Sequence, residues 1–477
     1  MLKANSVIKS SRITFGTSGA RGLVVDFTSD VCAAFTHVFL SVVKGEYKFD
    51  SVAIAVDNRP SSLSIAKYVA SAIEKHNLKV VYYGVVPTPA LAFRALADNV
   101  PCIMITGSHI PFDRNGMKFY SPNGEITKEN EIQIIESTYE FNTSDEFSEL
   151  VTCNDAAQTY IERYTSIFSD KPLLGKRVGV YEHSSAGREL YAKIFSTLGA
   201  NVISLGRSDK FVPIDTEAIS DEDSALALKW VEEYKLDTIF STDGDGDRPL
   251  VADENGKWLR GDILGLLCAD KLGIEAVAVP VSCNTVIEKS GKFKCVKRTK
   301  SGSPYVIDAF SELTGMYSSI AGFEANGGFI LGSDVYINNI RLSALPTRDA
   351  VLPALMLISS IREQPISSLV DSLSARYTSS DRLKDFPINR SEYFIGYVLN
   401  YSDLFISEVG LQNMTCSNID TTDGVRMLFN NGDIIHLRPS GNAPELRCYA
   451  ESSKQEMAKK YVEVTLMYLS TASKPLE

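Results

Sequence analysis

The sequence predicts an α/β fold, with three tandem related α/β domains that have mixed sheets and a smaller carboxyl-terminal α+β domain. Short apolar runs of strand length alternate with helix-length segments through most of the chain, as in parallel strands joined by crossover helices. At roughly 150 residues per domain, the 477 residues also correspond to three or four domains. The predicted domains are residues 1–150, 151–256, 257–366 and 367–477.

The elements follow in order along the chain. The first domain has predicted strands at 52–56, 80–85 and 102–106, with helices near 61–75 and 90–97. The strands of the second domain are predicted at 177–181, 202–205 and 238–241, and those of the third at 276–281, 295–298 and 319–321. Past residue 365 the rhythm changes, and a turn at 430–432 leads into a strand at 433–437 in the fourth domain.

Two of these units end alike, which indicates that the domains are related. In each, a further strand precedes an Asn-Gly pair, which favours a hairpin: Asn123-Gly124 in the first unit and Asn255-Gly256 in the second. The third unit has the Gly-rich segment 327–332 in the corresponding place. We therefore expect one domain type to occur three times.

Composition and charge exclude several classes of protein. The chain is 44% hydrophobic and 22% charged, which argues against disorder and collagen-like structure. The 48 basic and 59 acidic residues give a net charge of −11, so nucleic acid and membrane surfaces are not expected partners. A small phosphorylated substrate remains compatible, because a local group of Arg and Lys can outweigh a distant net charge.

The beginning of the sequence and the cysteines predict a cytoplasmic protein. Residues 1–6 are polar and no apolar run has the length of a membrane span. The 8 cysteines are scattered without a Cys-x-x-Cys pair, so we interpret them as reduced and structural.

A polar loop follows the predicted strand 102–106. It contains Ser108 and His109, then Asn115-Gly116 and Lys118. A serine that leaves a buried strand is placed to act as a nucleophile, and a lysine ten residues further on can return to it across a turn. The loop lacks the second glycine of a hydrolase elbow. An ordinary serine in a turn is the alternative.

A second loop carries Asp243, Asp245 and Asp247, separated by glycines. Three carboxylates this close are costly unless a hard cation neutralises them, and oxygen ligands of this kind suit Mg²⁺. An EF-hand would have Glu254 at its twelfth position, but Arg248 stands where that loop needs glycine. The open alternatives are a solvated acidic turn and a phosphatase of the haloacid-dehalogenase type with Asp243 as nucleophile.

Two further loops have the equipment to bind a sugar and a phosphate. The third places Glu324 and Asn326 among small residues, which suits hydrogen bonding to adjacent sugar hydroxyls. The fourth combines guanidinium, hydroxyl, amide and backbone N–H donors suited to a phosphate dianion, from Arg438, Ser440, Asn442 and Arg447. A Gly-rich loop that ends at Arg21 is of similar type. Because ligands of open α/β sheets bind at the carboxyl ends of strands, we expect these loops to converge on one cleft.

Together, these segments resemble the α-D-phosphohexomutase family, which includes phosphomannomutases and phosphoglucomutases. Their order and approximate spacing match across essentially the whole chain. The resemblance implies a four-domain, heart-shaped enzyme whose active serine is carried as phosphoserine. It further implies a monomer or homodimer that acts on a small hexose phosphate.

Motif matching carries the family's roles onto this sequence. It makes Ser108 the phosphoserine, Glu324 the reader of sugar hydroxyls with Asn326 beside it, and the segment 438–447 the distal phosphate site. Ser108 and the three aspartates become the Mg²⁺ ligands. The catalytic centre is then lined by Arg21, His109, Lys118 and Arg248, with Lys118 as candidate general base, its amine pKa lowered by neighbouring arginines.

The activity implied by the resemblance is interconversion of mannose 6-phosphate and mannose 1-phosphate. It proceeds through the phosphoserine enzyme and a hexose 1,6-bisphosphate, which serves as intermediate and activator. Phosphoglucomutase activity by the same mechanism is the first alternative. The phosphatase and a catalytically dead sugar-phosphate binder are the others.

Two departures from the family pattern bear on this interpretation. Ile110 stands where the family usually has asparagine in Ser-His-Asn-Pro, which leaves the nucleophile unchanged. In the sugar loop, Ala325-Asn326-Gly327-Gly328 replaces the Ser-Gly-His ending of many relatives. This second departure concerns substrate preference.

Overall fold

The computed structural model describes residues 1–16, 19–142, 149–373, 375–440 and 444–472. Within these ranges the chain forms three mixed sheets packed with helices, followed by an antiparallel sheet with its own helices. The predicted α/β class is confirmed. Across the described part of the chain, no helix combines the length and the apolar composition needed to span a bilayer.

The first sheet has three parallel strands on one side and antiparallel strands on the other. In sheet order its strands are Thr14–Phe15, Ala20–Leu23, Arg114–Ser121, Cys102–Ile105, Ser51–Val56 and Lys79–Val85, and Gly124–Glu125 pairs with Arg114–Ser121. That last pair is the hairpin predicted at Asn123-Gly124. The helices are Ala4–Ser10, Ser29–Lys44, Ser62–Glu74, Thr88–Asp98 and Lys128–Glu136, with a 3₁₀ turn at Val24–Asp26. Leu2–Lys3 pairs with Glu140–Phe141.

The second and third sheets repeat the three parallel strands of the first sheet and the antiparallel strand beside them. The second has the order Asn201–Leu205, Arg177–Tyr181, Thr238–Thr242 and Pro249–Ala252, with helices Asp155–Thr165, Arg188–Thr197 and Asp221–Tyr234. The third has the order Cys295–Thr299, Ala276–Pro280, Ile320–Phe323, Phe329–Leu331 and Leu345–Asp349, beside the ribbon Val335–Ile337 and Ile340–Leu342. Its helical segments are Gly261–Lys271, Val286–Lys289, Ser303–Thr314, Val351–Ser359, Ser360–Arg362 and Ile366–Asp371.

The same connectivity occurs in all three sheets. Each has three parallel strands in the order second, first, third along the chain, and the next strand returns antiparallel beside the third. This shared order confirms the prediction of three related α/β domains. The domain limits themselves stay a prediction.

The last sheet is antiparallel throughout. Its order is Tyr377–Leu383, Leu446–Ser452, Ile434–Pro439, Val425–Phe429 and Cys416–Asp420. The helices Ile388–Asn400, Ser402–Glu408 and Gln455–Thr471 accompany it. This is the α+β domain expected at the carboxyl-terminal end.

Buried polar contacts join the second domain to the third. Tyr160 OH donates to Asp349 Oδ1 at 2.8 Å, and Tyr164 OH donates to Asp349 Oδ2. Arg163 of the same helix donates to the hydroxyl of Ser343 at 3.0 Å and to its carbonyl at 2.8 Å. Leaving a buried polar group without its hydrogen-bond partner destabilises the folded state. These contacts therefore hold the last strand of the third sheet in place.

Buried groups also join the fourth domain to the third. Glu451 accepts from Thr285 N at 2.9 Å and from Thr285 Oγ1, and Arg376 Nε lies 2.5 Å from it. Asn284 Nδ2 donates to Thr378 Oγ1 at 2.9 Å. The fourth domain therefore docks through charge-assisted hydrogen bonds at this end of the chain.

Candidate active site

Ser108 lies directly after the strand Cys102–Ile105 and is fully buried. Its Oγ donates to Asp243 Oδ2 at 2.6 Å, and its backbone N–H donates to Thr106 Oγ1 at 2.8 Å. A Cβ on Gly244 would lie 2.7 Å from the Ser108 carbonyl oxygen, so the missing side chain is what lets the two loops meet. The serine loop of the first domain and the acidic loop of the second thus form one site.

The backbone of Ser108 is strained, and Arg59 holds it. Ser108 has φ +54°, a left-handed conformation that costs free energy for a residue with a Cβ. Arg59 Nη2 donates to the Ser108 carbonyl at 2.9 Å and Nη1 to the Pro111 carbonyl at 2.6 Å. Asp57 Oδ2 accepts from Arg59 Nε at 3.1 Å, and the Phe211 ring lies 3.9 Å from the guanidinium carbon. The strain is thereby offset by charge-assisted bonds.

Sequence reasoning missed Arg59. One signal could have found it: Asp57 and Arg59 follow the buried strand Ser51–Val56 at the same sheet edge as Ser108. Charged residues that follow a strand at that edge are therefore candidate site residues, as are those of the loop 106–118.

The acidic loop follows the strand Thr238–Thr242 and offers a metal site. Asp243, Asp245 and Asp247 are fully buried, and one carboxylate oxygen from each lies within 4.8 Å of the others. Oδ1 of Asp245 and Oδ1 of Asp247 have no hydrogen-bond partner in the described ranges. Unpartnered buried oxygens of a hard donor set fit a divalent cation that prefers oxygen ligands.

Cationic side chains surround the aspartates. Lys118 Nζ lies 2.6 Å from Asp245 Oδ2 and 2.6 Å from Asp247 Oδ2, instead of returning to Ser108 as the spacing suggests. Arg248 Nε lies 3.6 Å from Asp247 Oδ1. The predicted general-base role of Lys118 stays a prediction.

The pKa values of Asp243 and Asp247 are shifted in opposite directions because their neighbours differ. Burial raises the pKa of Asp243 well above its usual range, and the charges of Asp245 and Asp247 add to that rise. Burial also acts to raise the pKa of Asp247, but the positive charges of Arg348, Lys118 and Arg248 outweigh it and lower the pKa below the usual range. A bound divalent cation would counter the rise at Asp243, because a nearby positive charge favours the ionised carboxylate.

His109 is a neutral imidazole in this setting. Burial lowers the pKa of His109 well below its usual range, and the charges of Arg248, Arg21 and Arg447 lower it further. Arg248 Nη1 lies 2.8 Å from Nδ1 of His109, which therefore acts as acceptor. Burial likewise lowers the pKa of Arg21 to about 10, with the charge of Arg248 adding to the effect. The arginines thus concentrate positive charge around His109, the residue that follows Ser108 in the chain.

The sugar loop contacts the acidic loop through an arginine that the sequence analysis did not single out. Glu324 Oε2 accepts from Arg348 Nη1 at 3.1 Å, and Arg348 Nη2 donates to Asp247 Oδ2 at 2.8 Å. Asn326 is mostly buried; its Oδ1 accepts from Gly328 N at 3.0 Å, so part of this side chain maintains the turn. Glu324 is thereby placed next to the acidic loop. Its predicted binding of sugar hydroxyls stays a prediction.

The predicted phosphate loop lies on neighbouring strands of the fourth domain. Arg438 and Arg447 are directly opposite in the antiparallel pair, so their side chains share one face. Arg438 Nε lies 3.4 Å from Asp423 Oδ2, and Arg447 Nε is buried with no hydrogen-bond partner in the described part. Ser440 N donates to the Glu445 carbonyl at 2.9 Å. Asn442 lies outside the described residues, so its predicted role stays a prediction.

Models of three domains match this chain. Domain I of phosphoglucomutase/phosphomannomutase, an alpha/beta/alpha domain, matches residues 12–146; domain II, of the same kind, matches 158–256; and the C-terminal domain matches 403–466. A phosphomannomutase of Salmonella muenchen is 56% identical over 460 residues, which are 96% of each chain. A phosphomannomutase of Sinorhizobium fredii is 38% identical over 475 residues, 96% of this chain and 99% of that protein.

Solved structures share the fold at low sequence identity. A phosphoglucomutase/phosphomannomutase family protein from Burkholderia thailandensis superposes with a TM-score of 0.76 at 19% identity, covering 100% of this chain and 99% of the other. Fold, site and domain models together define an α-D-phosphohexomutase, an enzyme of the isomerase type that acts on sugar phosphates. Within that class, the chain belongs to the phosphoglucomutase/phosphomannomutase family.

Proposed function

We propose that this protein interconverts mannose 6-phosphate and mannose 1-phosphate through a phosphoserine at position 108. The observation that carries the proposal is the contact of Ser108 Oγ with Asp243 inside a buried cluster of carboxylates. The choice of mannose is supported by the two near-full-length relatives named phosphomannomutase, at 56% and 38% identity. The family membership does not favour a haloacid-dehalogenase-type phosphatase.

The acidic loop would hold Mg²⁺ through Asp243, Asp245 and Asp247, together with an oxygen on Ser108. When bound, Mg²⁺ would offset negative charge on the transferred phosphoryl group. The chain's own groups act alongside it: Arg21 and Arg248 place positive charge near the serine, and the neutral His109 accepts from Arg248. Arg59 donates to the Ser108 carbonyl and so supports the backbone conformation in which the serine oxygen contacts the acidic loop.

The reaction consists of two phosphoryl transfers of opposite direction. In the first, the bond between Ser108 Oγ and phosphorus breaks while a bond forms between phosphorus and the free hydroxyl of the sugar monophosphate, which gives the 1,6-bisphosphate. The hydroxyl proton goes to a base, for which Lys118 is the proposed residue. The bisphosphate then reorients, and Ser108 receives the other phosphoryl group while the sugar oxygen regains a proton. Positioning supplies most of the remaining acceleration.

We expect a small preference between mannose and glucose. An enzyme that binds its intermediate in two opposite orientations reads the features common to both, and the 3- and 4-hydroxyls, which Glu324 is proposed to bind, are shared by the two sugars. They differ at the 2-hydroxyl. One imperfectly fitted group changes the free energy of transition-state binding by about 1–3 kcal/mol. We therefore expect kcat/KM to be highest for mannose phosphate, measurable for glucose phosphate, and much lower for the bulkier N-acetylglucosamine phosphate.

The measurement compares kcat/KM for mannose, glucose, glucosamine and N-acetylglucosamine 1-phosphates on one preparation, with inorganic phosphate followed in parallel. A clear preference for glucosamine phosphate would contradict the proposed substrate. Release of inorganic phosphate at the rate of turnover would contradict a mutase.

Removal of the Arg438 side chain should weaken binding of hexose phosphates. The proposed distal phosphate site uses this guanidinium, so Arg438→Ala should raise KM by roughly tenfold or more, the effect of losing one charged hydrogen bond. Leakage of bisphosphate should rise, because the intermediate is held less firmly. Steady-state kinetics and chromatography of the released bisphosphate check this, with Arg426→Ala on the neighbouring strand as control. Unchanged KM and leakage would make the loop structural.

A further inference from the structure

Arg348 joins two carboxylates that belong to different domains. Its Nη2 lies 2.8 Å and its Nε 3.2 Å from Asp247 Oδ2, while Nη1 lies 3.1 Å from Glu324 Oε2. The side chains of all three residues are buried. A guanidinium is planar and its donors point in fixed directions, so these bonds hold the two carboxylates in one relative orientation.

The bonds to Arg348 occupy one oxygen of each carboxylate. Asp247 Oδ2 also accepts from Lys118, whereas Oδ1 accepts no hydrogen bond in the described ranges. Glu324 Oε1 likewise accepts no hydrogen bond from the residues that the structure describes. The contacts with Arg348 therefore leave Oδ1 of Asp247 and Oε1 of Glu324 available to a ligand.

The backbone of Arg348 is itself held from both sides. The preceding Thr347 donates through Oγ1 to Glu125 Oε1 at 3.2 Å, which reaches into the first domain. The following Asp349 accepts from the hydroxyls of Tyr160 and Tyr164 in the second domain. The residues on both sides of Arg348 are thus anchored, which holds the backbone that carries the guanidinium.

The sugar loop is shaped to make room for Arg348. A Cβ on Gly328 would lie 2.5 Å from Arg348 Cδ and 2.9 Å from its Cγ, closer than real Cβ contacts allow. The second glycine of the Asn326-Gly327-Gly328 segment is therefore matched to the arginine. This gives a physical reason for a glycine at the point where the loop departs from the family pattern.

The geometry points to Arg348 as a positioning residue that orients Glu324 toward the sugar and Asp247 toward the metal at the same time, so that sugar recognition and metal binding are coupled. The role of Arg348 toward the sugar rests on the proposed function, whereas its role toward the metal does not. A guanidinium between two ligand-bearing carboxylates passes a displacement of one to the other, because its two sets of bonds are rigidly connected.

Arg348→Lys tests this inference, because lysine keeps the positive charge and loses the planar fork. We expect the Mn²⁺ affinity of the free enzyme, measured by electron paramagnetic resonance without any sugar phosphate, to fall by about tenfold. We also expect KM for mannose 1-phosphate to rise by about tenfold and kcat/KM to fall by about 100-fold. Gly328→Ala, which displaces the guanidinium without changing charge, should shift both quantities in the same direction.

A double-mutant cycle separates positioning from general support of the fold. In a Glu324→Gln background, Arg348→Lys should raise KM by less than about threefold, because the carboxylate that it orients has already lost its charge. The matched control is Arg390→Lys, an arginine of the fourth domain that donates to the carbonyls of Leu469 and Ala472 at 3.0 Å and 2.7 Å and contacts neither carboxylate. It should leave KM and Mn²⁺ affinity within about twofold of wild type.

Two results would overturn the inference: wild-type Mn²⁺ affinity and KM in a folded Arg348→Lys protein, or additive effects in the cycle. If Arg348→Lys does not fold, Gly328→Ala takes its place and is judged by the same two measurements. If the wild-type protein fails to turn over mannose phosphates while its Mn²⁺ affinity still depends on Arg348, the proposed substrate is refuted and the role toward Asp247 is supported.

Discussion

Ser108→Ala should abolish mutase turnover, with kcat falling by a factor on the order of 10⁴ or more. The alanine has no oxygen to carry the phosphoryl group, because the Ser108 Oγ that lies 2.6 Å from Asp243 Oδ2 is the atom removed. Leaving the buried Asp243 Oδ2 without its partner costs about 1–3 kcal/mol, which the fold should survive. Coupled kinetics give the turnover, and circular dichroism with thermal unfolding checks the fold.

Intact-mass measurement supplies an independent readout of the same variant. Wild-type protein incubated with hexose 1,6-bisphosphate should gain the mass of one phosphoryl group, and Ser108→Ala should gain none. Ser71→Ala is the control, since Ser71 is a buried serine on the helix Ser62–Glu74 of the same domain and does not belong to the loop. Turnover or phosphorylation that persists in Ser108→Ala would refute the phosphoserine.

Asp245→Asn should reduce activity by at least about 100-fold and weaken binding of a divalent cation. Asp245 Oδ1 has no hydrogen-bond partner in the described ranges, so it is the oxygen free to bind a metal ion. Replacement by an amide removes one negative charge from the cluster while leaving an oxygen of similar size. Treatment of the wild-type protein with EDTA should remove activity, and added Mg²⁺ should restore it.

Asp253→Asn is the matched control for this substitution. Asp253 is also buried, but its Oδ1 accepts from the backbone N–H groups of Asn255 and Lys257 at 2.9 Å each, and an amide oxygen can accept the same bonds. We expect this variant to keep activity within about threefold of wild type. Mn²⁺ titration and steady-state kinetics compare the two proteins. Equal effects at the two positions would contradict a metal site in the acidic loop.

Much of the fold could be predicted because its signals are local. The strands at 177–181, 202–205 and 238–241 follow from short apolar runs, and the structure extends the last two by one residue at one end. The hairpin at Asn123-Gly124 follows from turn chemistry. Likewise, the three aspartates could be selected because they lie within five residues of one another and would repel without a cation.

The rest of the site could not be predicted because its signals are not local. Arg59 contacts the Ser108 carbonyl from 49 positions away, and Arg348 contacts Asp247 from 101 positions away. Arg59 follows the strand Ser51–Val56 and Arg348 lies on the strand Leu345–Asp349, and neither position indicates which distant residue the arginine contacts. For Lys118 the spacing indicates a return to Ser108, but the strand on which it lies directs it to Asp245 and Asp247.

The long separations within the site bear on how the enzyme matures. The contact of Ser108 with Asp243 spans 135 positions, and that of Lys118 with Asp247 spans 129. A chain emerging from the ribosome can complete the first sheet well before Asp243 exists, so its earliest compact forms carry the serine without its carboxylate partner. Catalytic competence is therefore a property of docked domains. A substitution at a domain interface can leave every single domain folded and still delay the appearance of activity.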